Sequence, residues 1–296
     1  MAGQLKEVRS RIKSVISTQQ ITKAMKMVSA AKLRRAQDRI TQMRPYSQKL
    51  SEMLSNIVTA TEGDVAINLS VSREVQNVLL IVMTSDRGLC GAFNTNVNKA
   101  ALNSIKTKYA HLSEKNIHIM TIGKKSLQFF KKHNYNVIET HTELFANLNF
   151  EAVATIAEGV MQDYNNNKFD AVELVYSQFK NAATQVFTAE QFLPISKVAE
   201  VSGSKSTSKA DFIFEPEKNE IIETLIPKIL KTQFYKGLLD TNASEHGARM
   251  TAMDKASENA NEILKNLRIS YNRARQAAIT TELSEIVAGA AALQGE

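Results

Sequence analysis

Residues 217–293, EKNEIIETLIPKILKTQFYKGLLDTNASEHGARMTAMDKASENANEILKNLRISYNRARQAAITTELSEIVAGAAAL, decide how this chain folds. Counting back from Ala278 in alternating steps of four and three reaches Ala274, Tyr271, Leu267, Leu264, Ala260, Ser257, Met253, Met250, His246, Ala243, Leu239, Lys236, Thr232, Ile229, Leu225 and Ile222. Thirteen of these seventeen positions are apolar. A 3.5-residue repeat held that long draws one narrow stripe along a single helix, the seam of a coiled coil. Some seventy residues at about 1.5 Å each make a rod of roughly 110 Å. Such a helix needs a partner to cover its stripe.

The start of the chain supplies one. Leu5, Val8, Ile12 and Val15 share a register that resumes at Leu33, Ala36, Ile40 and Met43 and again at Leu50, Leu54 and Ile57. Between those runs the seam positions turn polar, as Gln19, Thr22, Lys26 and Ser29, while Ile21, Met25 and Val28 fall on a neighbouring stripe. The helix is therefore expected to turn that apolar side towards something else. Pro45 is expected to bend the helix near Arg44, and Pro227 to bend the first turns of the C-terminal helix. The predicted organisation is two long antiparallel helices, residues 1–58 and 217–296, with a compact insert at 59–216.

Within the insert the period changes. Val75–Thr84 reads as a buried strand leading into the turn Ser85–Gly91 and a helix from about Asn94 to Ala110. Then follow a strand at Ile117–Ile122, a helix at Lys124–His133, a strand at Asn136–Thr140, a helix at Phe150–Asn165, a strand at Ala171–Phe179 and a further strand at Ala183–Phe187. Strands alternating with helices predict an α/β layer structure with a largely parallel sheet. Residues 201–210 read as a polar loop closing the insert, and Pro216 with Glu217, Glu220 and Glu223 as the start of the last helix.

Composition narrows the function. The 296 residues can bury a substantial core, and the longest apolar run, Val78–Met83, is too short to span a bilayer. The opening MAGQLKEVRSR holds no apolar signal core, so export is not expected. The single cysteine, Cys90, excludes an intramolecular disulfide and a multi-cysteine metal site, and predicts a reducing compartment. The net charge of +7 is uneven: residues 1–50 carry twelve Lys or Arg against Glu7 and Asp38, whereas residues 217–293 carry ten basic and ten acidic groups. An electrostatic partner should meet the N-terminal helix.

No catalytic constellation emerges. The turn Asp86, Arg87, Gly88, Leu89, Cys90, Gly91 lies after a strand and before a helix, where phosphate is cradled in dinucleotide-binding folds. Its glycines fit neither GxGxxG nor GxxxxGK[ST], and it reads as a structural turn whose glycines permit positive φ. Cys90, flanked by Leu89 and Gly91, reads as a packed small side chain. The five histidines show no metal-ligand spacing, and no cofactor is expected. The basic run Lys23, Lys26, Lys32, Arg34, Arg35 and Arg39 is either a solvated face or a docking surface for nucleic acid, anionic lipid or an acidic protein loop. No aromatic residues interleave to stack bases.

Three stretches resemble the gamma subunit family of F-type ATP synthases: IKSVISTQQITKAMKMVSAAKLRRAQ at 12–37, TSDRGLCGAFN at 84–94, and the segment from Ala243 to Leu293. The resemblance implies an antiparallel coiled coil of the terminal helices inside a hexamer of alpha and beta subunits. It also implies a Rossmann-like α/β foot beside the epsilon subunit and the membrane rotor ring. The chain would be a non-catalytic rotary shaft that couples ion flow to nucleotide chemistry in the beta subunits. Met25 and Lys26 take the family's coupling position, with Arg249 the facing position in the last helix. Arg275, Gln276, Thr280 and Glu282 match an upper contact cluster, and Phe212 would face the rotor ring. The small apolar tip from Ile286 to Ala292 would slide in its housing. Lacking a plastid-type cysteine segment and a transit extension, the chain is expected to be bacterial, peripheral on the cytoplasmic side of the inner membrane. The alternatives are a basic coiled-coil protein that binds nucleic acid and an α/β nucleotide-binding enzyme with helical arms.

Overall fold

The computed structural model describes residues 2–60, 69, 73–182, 184–195 and 218–294. The elements in chain order are α1 (Ala2–Ala60), β1 (Val78–Met83), α2 (Phe93–Lys108), β2 (Ile117–Ile122), α3 (Lys124–Lys132), β3 (Asn136–His141), α4 (Phe150–Asn165), β4 (Ala171–Phe179), β5 (Gln185–Leu193) and α5 (Lys218–Gln294). Pro45 lies inside α1 and Pro227 inside α5. The polar loop at 201–210, Phe212 and the helix start at Pro216 lie outside the described residues.

The chain divides into two compact units, Met1–Ser29 with Met250–Glu296, and Ala30–Arg249. In the first unit the predicted narrow seam is present. Met253, Ser257, Ala260 and Leu264 are buried and Leu267, Tyr271, Ala274 and Ala278 half-buried, while most residues between them are exposed. On α1 the positions Leu5, Val8, Ile12, Val15, Gln19, Thr22, Lys26 and Ser29 are half-buried or buried, in the same 3.5-residue rhythm. The polar seam positions thus stay inside. The displaced apolar side chains Ile21 and Val28 point outward and are exposed, as is Met27.

In the second unit the sheet order is β3-β2-β1-β4-β5, parallel throughout except for the antiparallel edge strand β5. The strand expected at Ala183–Phe187 is β5, which runs on to Leu193. Central strand β1 is buried at every residue, as a parallel strand covered on both faces must be. Alternate side chains serve opposite layers. Val78, Leu80 and Val82 pack with Phe93, Val97 and Ala101 of α2 and Phe130 of α3. On the other face Gly237 of α5 sits against Met83 and Tyr176, and Phe192 of β5 meets Phe234 edge-on at 5.7 Å.

This second role changes how α5 is buried between residues 226 and 249. The sequence pattern predicts a narrow stripe there too. Instead Ile226, Leu230, Phe234, Leu238 and Ser244, all off the seam register, are buried beside the seam residues Ile229, Thr232, Leu239 and Ala243. A helix that covers a sheet must bury a wide face, and small residues let it approach: Ser244 Oγ donates to the Ser177 carbonyl at 3.2 Å.

One tight point fixes the strand ends. Gly123, after β2, has φ +101°, and a Cβ there would lie 2.1 Å from the Thr84 carbonyl oxygen. Gly123→Ala is therefore expected to destabilise the protein by about 3 kcal/mol or more in urea unfolding. Gly159→Ala, mid-helix in α4 with nothing within 4 Å of the added carbon, should stabilise it by about 0.5–1 kcal/mol. Equal effects at the two positions would contradict this placement of the backbone.

Candidate functional site

The residues singled out from the sequence fall into three groups. In the first unit, Lys26 Nζ bonds Asp254 of α5 at 2.5 Å, with side chains 42% and 45% exposed. An ion pair that open to solvent contributes at most about 1 kcal/mol, so its charges remain available to a partner. Next to it the Thr22 and Ser257 hydroxyls meet at 2.7 Å, and the Gln19 amide donates to Asn261 Oδ1. Met25 is half-buried and its carbonyl accepts from Ser29 Oγ at 2.7 Å. On this stretch of α1, Ile21 and Val28 lie on one flank of the helix and Lys23 and Met27 on the other. All four side chains are exposed.

Arg275, Gln276, Thr280 and Glu282 form the second group, and all four are exposed on α5. Thr280 Oγ1 bonds the Gln276 carbonyl at 3.0 Å, one turn back. They lie off the seam positions Tyr271, Ala274 and Ala278 and are exposed to solvent.

The third group belongs to the second unit and centres on Arg249, which is only 9% exposed. Its guanidinium pairs with Glu245, one turn earlier on α5, and its Nη2 donates to the carbonyls of Arg87 at 3.0 Å and Gly88 at 3.1 Å. Burial pushes the Glu245 carboxyl up, and Arg249 opposes that shift. The pair is a clamp on the turn after β1. Ser85 Oγ also donates to the Arg87 carbonyl, at 2.7 Å. Asp86 Oδ1 accepts the backbone N–H of Lys124 at 3.0 Å and of Glu143 at 3.3 Å, tying the same turn to the start of α3.

The turn departs from its expected chemistry in one respect. Gly91 has φ 60°, as a glycine turn would, but the other positive φ belongs to Leu89, at 65°, and not to Gly88. Leu89 is also 65% exposed. Holding a bulky residue in the left-handed region costs energy, which the converging donors on Arg87 and Gly88 offset. Cys90 is buried, as read from its flanks, and burial raises its thiol above the ordinary range.

A cleft of about 380 Å³ opens beside the turn, lined by Lys32, Asp86, Arg87, Lys124, Glu245 and His246 among others. Asp86 occupies the anion position at the start of α3, and Glu245 is held by Arg249. The anion position at the start of α3 is thus filled by the chain's own carboxylate. No group of His, Cys, Asp and Glu among the described residues is arranged to hold a metal ion.

Asp254 and Glu245 were absent from the sequence reading. Glu245 was within reach, because Glu then Arg four residues on is the spacing of a helical ion pair. Asp254 needed the seam register between α1 and α5 before its side of the helix had meaning.

The ATP synthase family model matches residues 4–293. This chain belongs to the ATP synthase family. It is 54% identical over 290 residues to the ATP synthase gamma chain of Cytophaga hutchinsonii, covering 98% of both chains. To the gamma chain of Flavobacterium johnsoniae it is 53% identical over 291 residues, covering 98% of this chain and 99% of the relative. Among solved structures it resembles a chain of the central stalk and c-ring of the Tetrahymena thermophila mitochondrial ATP synthase. The TM-score is 0.59 at 25% identity, over 80% of this chain and 99% of that one. A chain of the Euglena gracilis mitochondrial ATP synthase shares the fold, with a TM-score of 0.72 at 22% identity, over 99% and 95% of the two chains. Among the described residues no helix is long and apolar enough to cross a membrane.

His246, in the cleft wall, gives a pH test of this geometry. Burial, then Arg249 and Lys32, lower its pKa to about 4 from an ordinary 6.5, and its Nδ1 has no hydrogen-bond partner among the described residues. The unfolded chain therefore takes up a proton first as pH falls, and stability is lost between about pH 6.5 and 4. His246→Gln should remove an acid sensitivity of about 3 kcal/mol in urea titrations across that window. Parallel pH profiles for variant and wild type would contradict it.

Proposed function

We propose that this chain is the gamma subunit of an F-type ATP synthase, the non-catalytic central-stalk rotor of a membrane-associated complex. The observation that carries this reading is the match to bacterial gamma chains over nearly the whole of both sequences, at 54% identity for Cytophaga hutchinsonii. Seam-paired terminal helices and an α/β foot suit that role: one part resists twisting and the other offers a broad surface for attachment. Nothing in the family match or the geometry favours nucleic-acid binding.

On this reading the partners are the alpha and beta subunits around the helix pair, with the epsilon subunit and the membrane rotor ring at the foot. Proton flow turns the ring, the shaft turns with it, and the catalytic beta subunits pass in sequence through different nucleotide affinities. Met25 and Lys26 serve as the coupling contact of α1, extended by Ile21 and Val28 on the side of Met25 and by Lys23 on the side of Lys26, where an acidic loop of the beta subunit meets it. Arg249 takes the family's facing position in α5, and it holds the turn at Arg87 and Gly88. Arg275, Gln276, Thr280 and Glu282 form the upper contact cluster, and Phe212 faces the rotor ring. The complex sits at the bacterial inner membrane with this subunit peripheral on its cytoplasmic side.

The test is charge reversal at an exposed contact. Lys26→Glu, or Met25→Lys, should lower proton pumping per ATP hydrolysed in reconstituted vesicles while complex yield and ATPase rate change little. Lys26→Gln should fall between. An effect of about 1 kcal/mol, about fivefold, is the scale expected for an exposed charge pair. Unaltered pumping per ATP in all three variants would remove these residues from the coupling contact.

A further inference from the structure

The charges of the second unit are sorted by layer. Between Phe93 and Ile138, a span that holds α2, β2 and α3, stand eight lysines, no arginine and one acidic residue, Glu114. α4 carries Glu151, Glu158 and Asp163 and no basic residue, and its Glu158 pairs with Lys231 of α5. The layer of α2 and α3 is thus cationic, while α4, on the α5 side of the sheet, is acidic.

The topology gathers the cations at one end. A helix that joins two parallel strands runs antiparallel to them, so α2 and α3 finish where β2 and β3 begin. Lys106 lies in the last turn of α2, Lys131 and Lys132 in that of α3, and Lys115 just before β2. All four are exposed, and none makes an ion pair among the described residues. Lys108 and Lys168, at the same end, are instead paired with Glu173 and Asp163. Lysine in a last turn favours the helix dipole, which leaves Lys115 and the scarcity of acids unexplained.

The choice of lysine bears on the partner. Arginine's planar fork grips one carboxylate or phosphate bidentately, and α1 uses it at Arg34, Arg35 and Arg39. Lysine is a compact charge on a flexible stem, fitted to a surface whose own charges are spread out and mobile. The nearby aromatic side chains Tyr109, Phe129 and Tyr135 pack against the core and do not lie open to stack bases. We propose that Lys106, Lys115, Lys131 and Lys132 form a docking surface for an anionic lipid bilayer. The course of α5 orients it: Phe234 meets Phe192 near the start of β4, and Arg249 further on binds the turn after β1. The early turns of α5 and the four lysines therefore share one end of the sheet. On the rotor reading that end lies towards the membrane ring, so the nearness of a bilayer rests on that reading, whereas the charge pattern does not.

Co-sedimentation of the full-length chain with phosphatidylcholine vesicles, with and without phosphatidylglycerol, tests it at about 0.1 M salt. A lysine close to an anionic membrane contributes about fivefold in affinity. Lys106→Gln, Lys115→Gln, Lys131→Gln and Lys132→Gln together should therefore weaken binding to the anionic vesicles by about a hundredfold or more. Lys13→Gln, Arg34→Gln, Arg35→Gln and Arg39→Gln remove the same charge from α1 and should change it by less than about fivefold. In a Cys90→Ala background, an environment-sensitive dye on Ser113→Cys should respond to the anionic vesicles. The same dye on Thr142→Cys, at the opposite end of the sheet, should not. Equal losses in the two four-site variants, or equal dye responses, would reduce the attraction to net charge and overturn the proposal. Binding of double-stranded DNA through the same four lysines, with none to the vesicles, would overturn it in favour of nucleic acid. All of these measurements use the chain alone, so their failure is distinct from a failure of the pumping test of the rotor reading.

Discussion

An apolar stripe on a helix must be covered, and every other feature of this protein follows from how the stripe of α5 is covered. In the first unit the cover is α1, a second helix with the same 3.5-residue rhythm, and burial is confined to the seam. In the second unit α5 also lies on a β-sheet, and its buried face widens to include Ile226, Leu230, Phe234 and Leu238. The same helix thus follows two packing rules along its length. A seam leaves most of the helix surface free for other contacts. A sheet-covering face fixes the helix to a foundation.

The charged groups divide in the same way. Lys26 and Asp254 are half exposed and cheap to re-pair, which suits a contact that is made and broken. Arg249 and Glu245 are buried and hold backbone carbonyls, so removing either leaves an uncompensated charge inside. The first pair has the physics of a transient contact and the second that of a fixed support. The strained Leu89 belongs with the fixed group, because only a turn held by several donors keeps a leucine at φ 65°.

Much of this was legible in the sequence. Strands Ile117–Ile122 and Ala171–Phe179 and helix Phe150–Asn165 have the boundaries read from periodicity. The terminal seams were readable because a heptad pattern depends only on spacing. The wide burial of α5 against the sheet was not, because residues such as Phe234 and Leu238 look like irregularities until the sheet beneath them is known. The fate of the polar seam positions needed the structure for a similar reason: Gln19 and Thr22 read as a break in the seam, but their partners Asn261 and Ser257 are more than 200 residues away in sequence. The positive φ at Leu89 had no sequence signal at all, since Gly88 beside it was the natural candidate.

Rotation is the most direct measurement of the central claim. A complex containing this chain would be anchored to a surface through its beta subunits, a bead attached to a cysteine introduced on the exposed face of α4, and ATP supplied. The account predicts sustained rotation of the bead in one direction, dependent on ATP and stopped by crosslinking this chain to a beta subunit. A bead that stays fixed while the same complexes hydrolyse ATP at full rate would contradict it.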